Sequence, residues 1–235
     1  MTISIITPVY NQSFLTKQYL KDLSQLDENH EIIVIDNGST DETADLLLQN
    51  KQVKYIRNNS NLGFAKSCNI AYAASTGDIV IFLNNDIRVK AGFEKTWTNM
   101  FVEAINSVGE NDFLFGATAG YLDNQFNFIT EVDGDCSDLA EDNLNKYISG
   151  WCLAATRKTF ERFRTETYCP FIEEFGTYFE DTYMGFEAKR LDIGMRTLNI
   201  PVVHLKRMTS RFMVLPDMYT KARNKFIKKV TNNNG

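Results

Sequence analysis

The sequence of 235 residues predicts an α/β protein with a mostly parallel central sheet and helices on both faces. Two observations support this fold class. Short apolar runs typical of buried strands alternate with helix-like segments over the first hundred residues. In addition, three of the predicted strands are followed directly by a polar cluster, as at the ligand-binding edge of an open parallel sheet.

Four strands and three helices are predicted in this first part of the chain. The strands are expected at residues 3–7, 32–35, 53–56 and 79–83. The helices are expected at residues 14–26, from Ser39 onward, and at residues 64–74. The second helix has a marked start, because Ser39 and Glu42 match a capping box in which Glu42 reaches back to the cap. Repeated βα units imply parallel strands joined by right-handed crossovers.

Three polar clusters should therefore meet at one edge of the sheet, at residues 7–11, 36–39 and 84–86. A carboxylate at that edge could hold a divalent cation against the phosphates of a nucleotide. Each cluster also has an ordinary structural explanation. Asn-Asn-Asp at residues 84–86 is a common turn, and Asp36 either accepts hydrogen bonds from a base or ribose or caps a turn. No GxGxxG or GxxxxGK[ST] motif is present, so a cation and side chains would have to handle the phosphates.

Composition narrows the class of protein. With 43% hydrophobic and 23% charged residues, the chain is typical of soluble globular proteins. The longest apolar run falls short of the roughly 20 residues that span a bilayer, and the N-terminus lacks the basic region of a signal peptide. We therefore expect a cytoplasmic protein. The net charge of −5 argues against nucleic acid as a partner, and two histidines with four scattered cysteines argue against a zinc site.

Four motifs, in this order, resemble those of the family 2 glycosyltransferases. They lie at residues 5–11, 34–41, 61–65 with Asn69, and 77–86. The resemblance extends over about residues 3–205. It implies a GT-A fold, a nucleotide-diphosphate sugar as donor, and inversion at the anomeric carbon.

The resemblance also implies roles for individual residues at the donor site. It assigns the following to nucleotide binding: Thr7, Pro8, Tyr10, Asp36, Asn61, Lys66 and Asn85. Among them, Asp36 is expected at the uracil or ribose. Lys66 and Asn69 could face the nucleotide or the sugar, or could belong to the helix surface and to internal packing.

Residues 84–86 occupy the position of the DXD metal motif of this family, but an amide replaces the first carboxylate. Only Asp86 can then supply a charged ligand. His204 ends the short final strand, where the family often completes the metal site with a histidine. Neutral imidazole is a common metal ligand, although a single histidine is also often structural. The implied cofactor is Mn²⁺ or Mg²⁺, held together with waters and the diphosphate.

In the second half, residues 178–186 resemble the segment in which an acidic pair opens a helix. The resemblance makes Asp181 the general base and Glu180 its orienting neighbour or an acceptor contact. Acidic residues are also favoured in the first turn of any helix. Trp151 is expected at the acceptor site, where it either stacks on a sugar or packs in the core. The acidic region at residues 121–145 could be an acceptor-binding loop or a solvated loop.

Together these features predict a non-processive transferase that adds one sugar, because the QxxRW signature of processive synthases is missing. A UDP-sugar is the expected donor, and a glycan, a lipid-linked molecule or a protein the expected acceptor, in glycan or surface polysaccharide synthesis. One domain is expected at residues 1–215, with a nucleotide-sugar half at 1–90 and an acceptor half at 91–215. A sugar-nucleotide pyrophosphorylase fits less well, because it would need a Gly-rich basic loop after the first strand. A non-catalytic binding module would explain the missing carboxylate.

Residues 216–235 are expected to form a basic helix and a polar tail. Met218, Ala222, Phe226 and Val230 recur at helical spacing, which predicts one apolar stripe on an otherwise basic helix. Such a helix could lie on an anionic membrane that carries a lipid-linked acceptor. It could equally pack its stripe on the sheet domain and leave its lysines in water.

Overall fold

A computed structural model describes residues 1–134, 144–175, 178–205 and 216–232. The strands are β1 (Ile3–Val9), β2 (His30–Asp36), β3 (Val53–Arg57), β4 (Ile79–Leu83), β5 (Ile87–Val89), β6 (Phe113–Gly116), β7 (Thr118–Leu122), β8 (Phe128–Asp133), β9 (Asn145–Ile148), β10 (Cys152–Thr156), β11 (Gly194–Thr197) and β12 (Val202–His204). The helices are α1 (Ser13–Leu23), α2 (Thr43–Gln49), α3 (Phe64–Ala74), α4 (Asn99–Ser107), α5 (Arg157–Glu161), α6 (Glu180–Arg190) and α7 (Pro216–Asn232).

The central sheet has seven strands in the order β11-β6-β10-β4-β1-β2-β3. β1 pairs in parallel with both β2 and β4, and β2 pairs in parallel with β3. β10 is the exception, since it runs antiparallel to both β4 and β6. The predicted α/β class with a mostly parallel sheet is thus confirmed.

Helices cover both faces of this sheet, as the alternation of side chains along β4 requires. Ile79, Ile81 and Leu83 pack into one apolar cluster together with α1, α2 and α4. Val80 and Phe82 point to the opposite cluster, which contains residues of α3, α5 and α6. All five residues of β4 are fully buried, which explains why the strand reads as an uninterrupted apolar run.

The predicted capping box at the start of the second helix is wrong. α2 begins at Thr43, and Ser39 is buried in the turn after β2. Its backbone N–H donates to Asp36 Oδ1 at 2.7 Å, and its hydroxyl accepts from the backbone N–H of Asn11. Glu42 is the residue before α2 and makes no side-chain cap hydrogen bond, and Asp41 accepts from the backbone N–H of Thr43 at 3.1 Å. These competing hydrogen bonds hold Ser39 in the loop.

Two small sheets extend the central one, β12-β5 and β8-β7-β9. α6 lies directly on β9 because Gly185 has no side chain: a Cβ there would come within 2.5 Å of the carbonyl oxygen of Lys146. This close approach sets how tightly α6 packs on β9.

The acidic region at residues 121–145 is only partly a loop. Residues 135–143 lie outside the described residues, but β8 spans Phe128–Asp133 and pairs antiparallel with β7. The prediction of a loop is therefore wrong for the residues of β8.

The C-terminal helix packs on the rest of the chain. Ala222, Phe226 and Val230 are buried against an aromatic cluster that includes Phe179. Met218, the fourth residue of the predicted stripe, is 40% exposed. The packing alternative is thereby confirmed for three of the four residues. Within the described ranges, no helix combines the length and apolar character that a bilayer span needs.

Candidate active site

A cleft of about 860 Å³ opens next to the carboxyl end of β4. It lies where the sequence predicts a site, and the backbone N–H of Asn84 donates to the carbonyl oxygen of Trp151, which continues the pairing of β4 with β10. Its walls include Asn84, Trp151, Glu180, Asp181 and His204. The structure therefore brings the predicted acidic pair, the tryptophan and the histidine to one space, although they are far apart in sequence.

One wall is built around His204. β12 pairs antiparallel with β5, which places His204 opposite Ile87 and its Nε2 atom 3.1 Å from Oδ1 of the buried Asp86. The indole ring of Trp151 stacks on the imidazole with 4.7 Å between ring centroids and 4° between planes. Trp151 is itself held by a 3.1 Å hydrogen bond from Nε1 to Thr118 Oγ1. The imidazole orientation is thus fixed from two sides.

This histidine and carboxylate fit a hard divalent cation. Two ligands at about 2.1 Å from an octahedral Mg²⁺ and at right angles to each other lie roughly 3 Å apart. The separation between Nε2 of His204 and Oδ1 of Asp86 is 3.1 Å. Among the described residues, no third His, Cys, Asp or Glu joins them in a group. The protein could then supply two ligands, and other oxygen donors would have to complete the coordination.

The cleft wall also carries Asp181, which the loop before β10 anchors. Its Oδ2 accepts from the backbone N–H of Gly150 at 2.9 Å, and its Oδ1 accepts from the backbone N–H of Thr182 at 2.7 Å. Glu180 precedes it, and its Oε2 accepts from the backbone N–H of Tyr178 at 2.7 Å. α6 begins at this acidic pair, as predicted.

Burial separates the two carboxyl groups chemically. It raises the pKa of Glu180 to about 8, and the adjacent Asp181 adds to the rise. Burial also raises the pKa of Asp181, but the hydrogen bonds from Gly150 and Thr182 oppose that rise. Hydrogen-bond donors stabilise the ionised form of Asp181, and a pKa of about 8 places Glu180 mainly in its protonated form at neutral pH. Glu180 then holds a proton.

Replacing Glu180 with Gln should make the folded chain less sensitive to alkaline pH. The folded state binds the Glu180 proton more tightly than the unfolded state, so the resulting stabilisation is complete below the ordinary glutamate pKa. It is lost as the pH rises toward about 8. Gln cannot ionise. We therefore expect the free energy of unfolding of Glu180→Gln to exceed that of the native chain by on the order of 2 kcal/mol at about pH 9, and by less at about pH 5.

Thermal unfolding across this pH range measures that gap. Glu166→Gln, a substitution of an exposed glutamate in a loop, is the matched control and should show no such pH dependence. A Glu180→Gln curve parallel to that of the native chain would contradict the assignment of the proton to Glu180.

At the donor edge, Thr7 and Asp36 are committed to internal contacts. Thr7 is fully buried and its hydroxyl pairs with that of Tyr19, so the structure does not bring its side chain to a base pocket. Asp36 is equally buried, and its carboxylate is held by the backbone N–H of Ser39 and by the guanidinium of Arg57. Arg57, 42% exposed, is the polar group that this pair presents outward. Arg57 was not among the predicted site residues, although an arginine ending β3 beside Asp36 was the available signal.

The other predicted nucleotide residues near the surface remain accessible. Pro8 and Tyr10 are partly buried, at and just after the end of β1. Asn61 is exposed and its Oδ1 accepts from the backbone N–H of Gly63 at 2.9 Å, in a turn that leads into α3. Lys66 is exposed on α3.

Asn69 and Asn85 are both turned away from the cleft. The amide of Asn69 donates to the carbonyl oxygen of Phe171 at 2.8 Å and to Glu173 Oε1 at 2.9 Å, and its oxygen accepts from Phe171 N–H. Asn69 therefore takes part in internal packing, one of its two predicted alternatives, and not in a contact with the nucleotide or the sugar. The amide of Asn85 donates to Thr16 Oγ1 on α1 at 3.0 Å. Neither residue lines the cleft.

Two further acidic residues, which were not among the predicted site residues, also line the cleft. Glu131 and Asp133 come from β8, and Asp133 Oδ1 accepts a hydrogen bond from Thr118 Oγ1. Their spacing of two residues was the available signal, because side chains at i and i+2 of a strand share a face.

Comparison with known proteins agrees with this architecture. The model of the family described as glycosyl transferase family 2 matches residues 4–131, more than half of the chain. An uncharacterized glycosyltransferase of Haemophilus influenzae is 38% identical over 89 residues, which are 36% of this chain and 36% of that protein. Glycosyltransferase GlyG of Streptococcus pneumoniae is 25% identical over 162 residues, 63% of this chain and 51% of that protein. The chain thus spans about half or less of the length of these relatives.

Solved structures share the fold. Mannosyltransferase PcManGT of Pyrobaculum calidifontis, in complex with GDP-Man and Mn²⁺, superposes with a TM-score of 0.58 at 18% identity, over 85% of this chain and 54% of that one. S. aureus TarS in complex with UDP gives a TM-score of 0.57 at 20% identity, over 85% and 58%. These likenesses confirm the predicted GT-A fold. The family match over more than half of the residues shows that the chain belongs to glycosyl transferase family 2.

Proposed function

We propose that this chain transfers a single sugar from a nucleotide-diphosphate sugar to an acceptor hydroxyl, with inversion at the anomeric carbon. The observation that carries the proposal is the shared cleft, which is lined by Asp181, Glu180 and His204, with the buried Asp86 in contact with His204. A base and the histidine of a cation-binding pair at one cleft are the groups that such a transfer requires.

Asp181 acts as general base in this proposal. It removes the proton of the acceptor hydroxyl as that oxygen attacks the anomeric carbon from the face opposite the diphosphate. One carbon–oxygen bond forms to the acceptor and one breaks to the diphosphate, so a single displacement inverts the configuration. The hydrogen bonds from Gly150 and Thr182 orient the carboxylate and keep it ionised. Glu180 stays protonated beside it and limits the negative charge in the wall.

Asp86 and His204 would hold Mn²⁺ or Mg²⁺, and the 3.1 Å between their ligand atoms fits that role. When bound, the cation would offset the negative charge that develops on the leaving diphosphate. Trp151 keeps the imidazole in place by stacking. Lys90, also on the cleft wall, is a second positive group available to the phosphates.

The nucleotide is assigned to the edge formed by Pro8, Tyr10 and Asp36, with Arg57 joined to Asp36. UDP is the favoured nucleotide by family resemblance, and TarS has been solved in complex with UDP and with UDP-GlcNAc. The product would enter glycan or surface polysaccharide synthesis. Peripheral contact of the basic helix α7 with a membrane is compatible with this role, since Lys221, Lys225 and Lys228 are exposed.

Thermal unfolding with UDP, dTDP and GDP, each with and without Mn²⁺, tests the donor site. A ligand at 100 times its dissociation constant adds about 2.7 kcal/mol to the free energy of unfolding, a shift of roughly 5–10 °C for a chain of this size. We expect one nucleotide to give this shift only when Mn²⁺ is present. A chain that none of the three nucleotides stabilises would contradict the proposal.

A non-catalytic nucleotide-binding module is the second candidate, because Asn84 stands where the family has the first carboxylate of its metal motif. Such a module would bind the nucleotide and leave the sugar attached. Release of the sugar from the donor in water, followed by NMR, separates the two candidates. Sugar release that requires the protein would exclude the module.

A further inference from the structure

A second groove, of about 480 Å³, lies on the far side of the acidic pair. We call it the aromatic groove and define it by Phe128 of β8, Tyr147 of β9, Phe179 before α6, Tyr219 of α7, and the carboxylates Glu131 and Asp181. Glu131 and Asp181 line both the main cleft and this groove. A molecule in the aromatic groove can therefore reach the proposed base.

Aromatic rings form the walls of the groove and are held in place. Tyr219 lies 5.2 Å from Phe179 between ring centroids. Tyr147 is buried and its ring lies over Gly120, where a Cβ would come within 2.1 Å of the ring. Phe128 and Tyr219, by contrast, leave 57% and 43% of their surface open. Exposed aromatic faces beside a reactive carboxylate mark a binding surface.

The charge of the groove restricts what can bind. The carboxylates of Glu131 and Asp181 line it, and no Lys or Arg does so among the described residues. Carboxylates accept hydrogen bonds from hydroxyl groups, and a phosphate would meet like charge. The main cleft differs in this respect, because Lys90 lines it.

We infer that the aromatic groove binds a neutral, hydroxyl-bearing sugar ring of the acceptor. The acceptor is then a glycan whose accepting end is uncharged, and the accepting group is not a lipid phosphate. The ring stacks its apolar face on Phe128 and Tyr219, and its hydroxyl groups donate to Glu131 and Asp181. The hydroxyl on Asp181 is the one that attacks the donor. This inference rests on the proposed function, because it assigns the acceptor of that reaction.

Ligand-observed NMR with simple probes tests the charge preference. The probes are methyl pyranosides and the 6-phosphates of the same sugars, added to the full chain with Mn²⁺ and the stabilising nucleotide. We expect at least one neutral pyranoside to bind about tenfold more tightly than its 6-phosphate. Equal or tighter binding of the phosphates, or no binding of any pyranoside to a nucleotide-loaded chain, would overturn the inference.

Two exposed aromatic side chains allow the site to be located without disturbing the core. Phe128→Ala and Tyr219→Ala should each weaken pyranoside binding by about tenfold. Phe93→Ala, a substitution of an aromatic residue that is 47% exposed and lies outside the groove, is the matched control and should bind normally. Unchanged binding in both groove variants would refute the location.

The nucleotide-induced thermal shift, recorded for every variant, separates the two levels of the proposal. If the native chain shows no nucleotide shift, the donor site and the proposed function fail. If the shift is present and pyranosides do not bind, or bind outside the groove, only the acceptor assignment fails.

Discussion

Replacing Asp181 with Asn is expected to lower the rate of sugar transfer by about 10²- to 10⁴-fold, the range that loss of a general base produces. Asn keeps the size of the side chain, and its single amide oxygen can replace one of the two carboxylate oxygens that accept from Gly150 and Thr182. It cannot take a proton from the acceptor. The rate of donor consumption, measured at saturating donor, reports the loss, and the nucleotide-induced thermal shift should persist.

Asp192→Asn is the matched control for this substitution, because it removes an exposed carboxylate just beyond the other end of α6. It should retain the native rate. A loss smaller than tenfold in Asp181→Asn would contradict its role as base.

The same carboxylate predicts how activity depends on pH. Burial raises the pKa of Asp181, and only the ionised form can accept a proton. Activity should therefore fall as the pH drops through this raised pKa, at less acidic pH than for an ordinary aspartate. The pH profile of the rate at saturating donor measures this.

Replacing Asp86 with Ala is expected to abolish the metal-dependent part of nucleotide binding. The substitution removes the one carboxylate that faces Nε2 of His204, and a single histidine is a poor ligand set for Mn²⁺ or Mg²⁺. At a nucleotide concentration that stabilises the native chain by about 2.7 kcal/mol, the difference between samples with and without Mn²⁺ should disappear.

Two further variants make this result interpretable. Asp86→Asn keeps the size of the buried side chain and should also lose the metal effect, which separates a lost ligand from a packing defect. Asp45→Ala, at an exposed carboxylate on α2, should keep it. A full Mn²⁺-dependent shift in Asp86→Ala would remove Asp86 from the metal site.

Local patterns predicted the fold where one kind of interaction dominates. β4 was predicted to the residue because burial on both faces leaves an apolar run with no competing signal. α3 was also predicted to its ends, between Gly63 and Ser75. The start of α2 was wrong because Ser39 bonds to Asp36 and Asn11, and Asn11 lies 28 residues away in the chain.

The sequence could not predict side-chain roles that depend on partners far away in the chain. The amide of Asn69 is used by Phe171, 102 residues further on, so sequence could not decide between a ligand contact and packing. The hydroxyl of Thr7 is likewise hydrogen-bonded to that of Tyr19. The meeting of Asp86 and His204 was expected only through family resemblance, and their contact spans 118 residues. The aromatic groove was not predicted, because its walls come from four separate parts of the chain.

The stereochemistry of sugar release tests directly whether this chain inverts the anomeric carbon with Asp181 as base. The chain is mixed with Mn²⁺ and with an α-linked sugar donor that carries the nucleotide found to stabilise it. Water serves as the acceptor, and the protein concentration is high enough for release to be faster than mutarotation. Proton NMR then identifies the first anomer released. We expect the β-anomer to form first, and Asp181→Asn to slow its formation greatly. Initial release of the α-anomer, or release at the native rate by Asp181→Asn, would contradict this expectation.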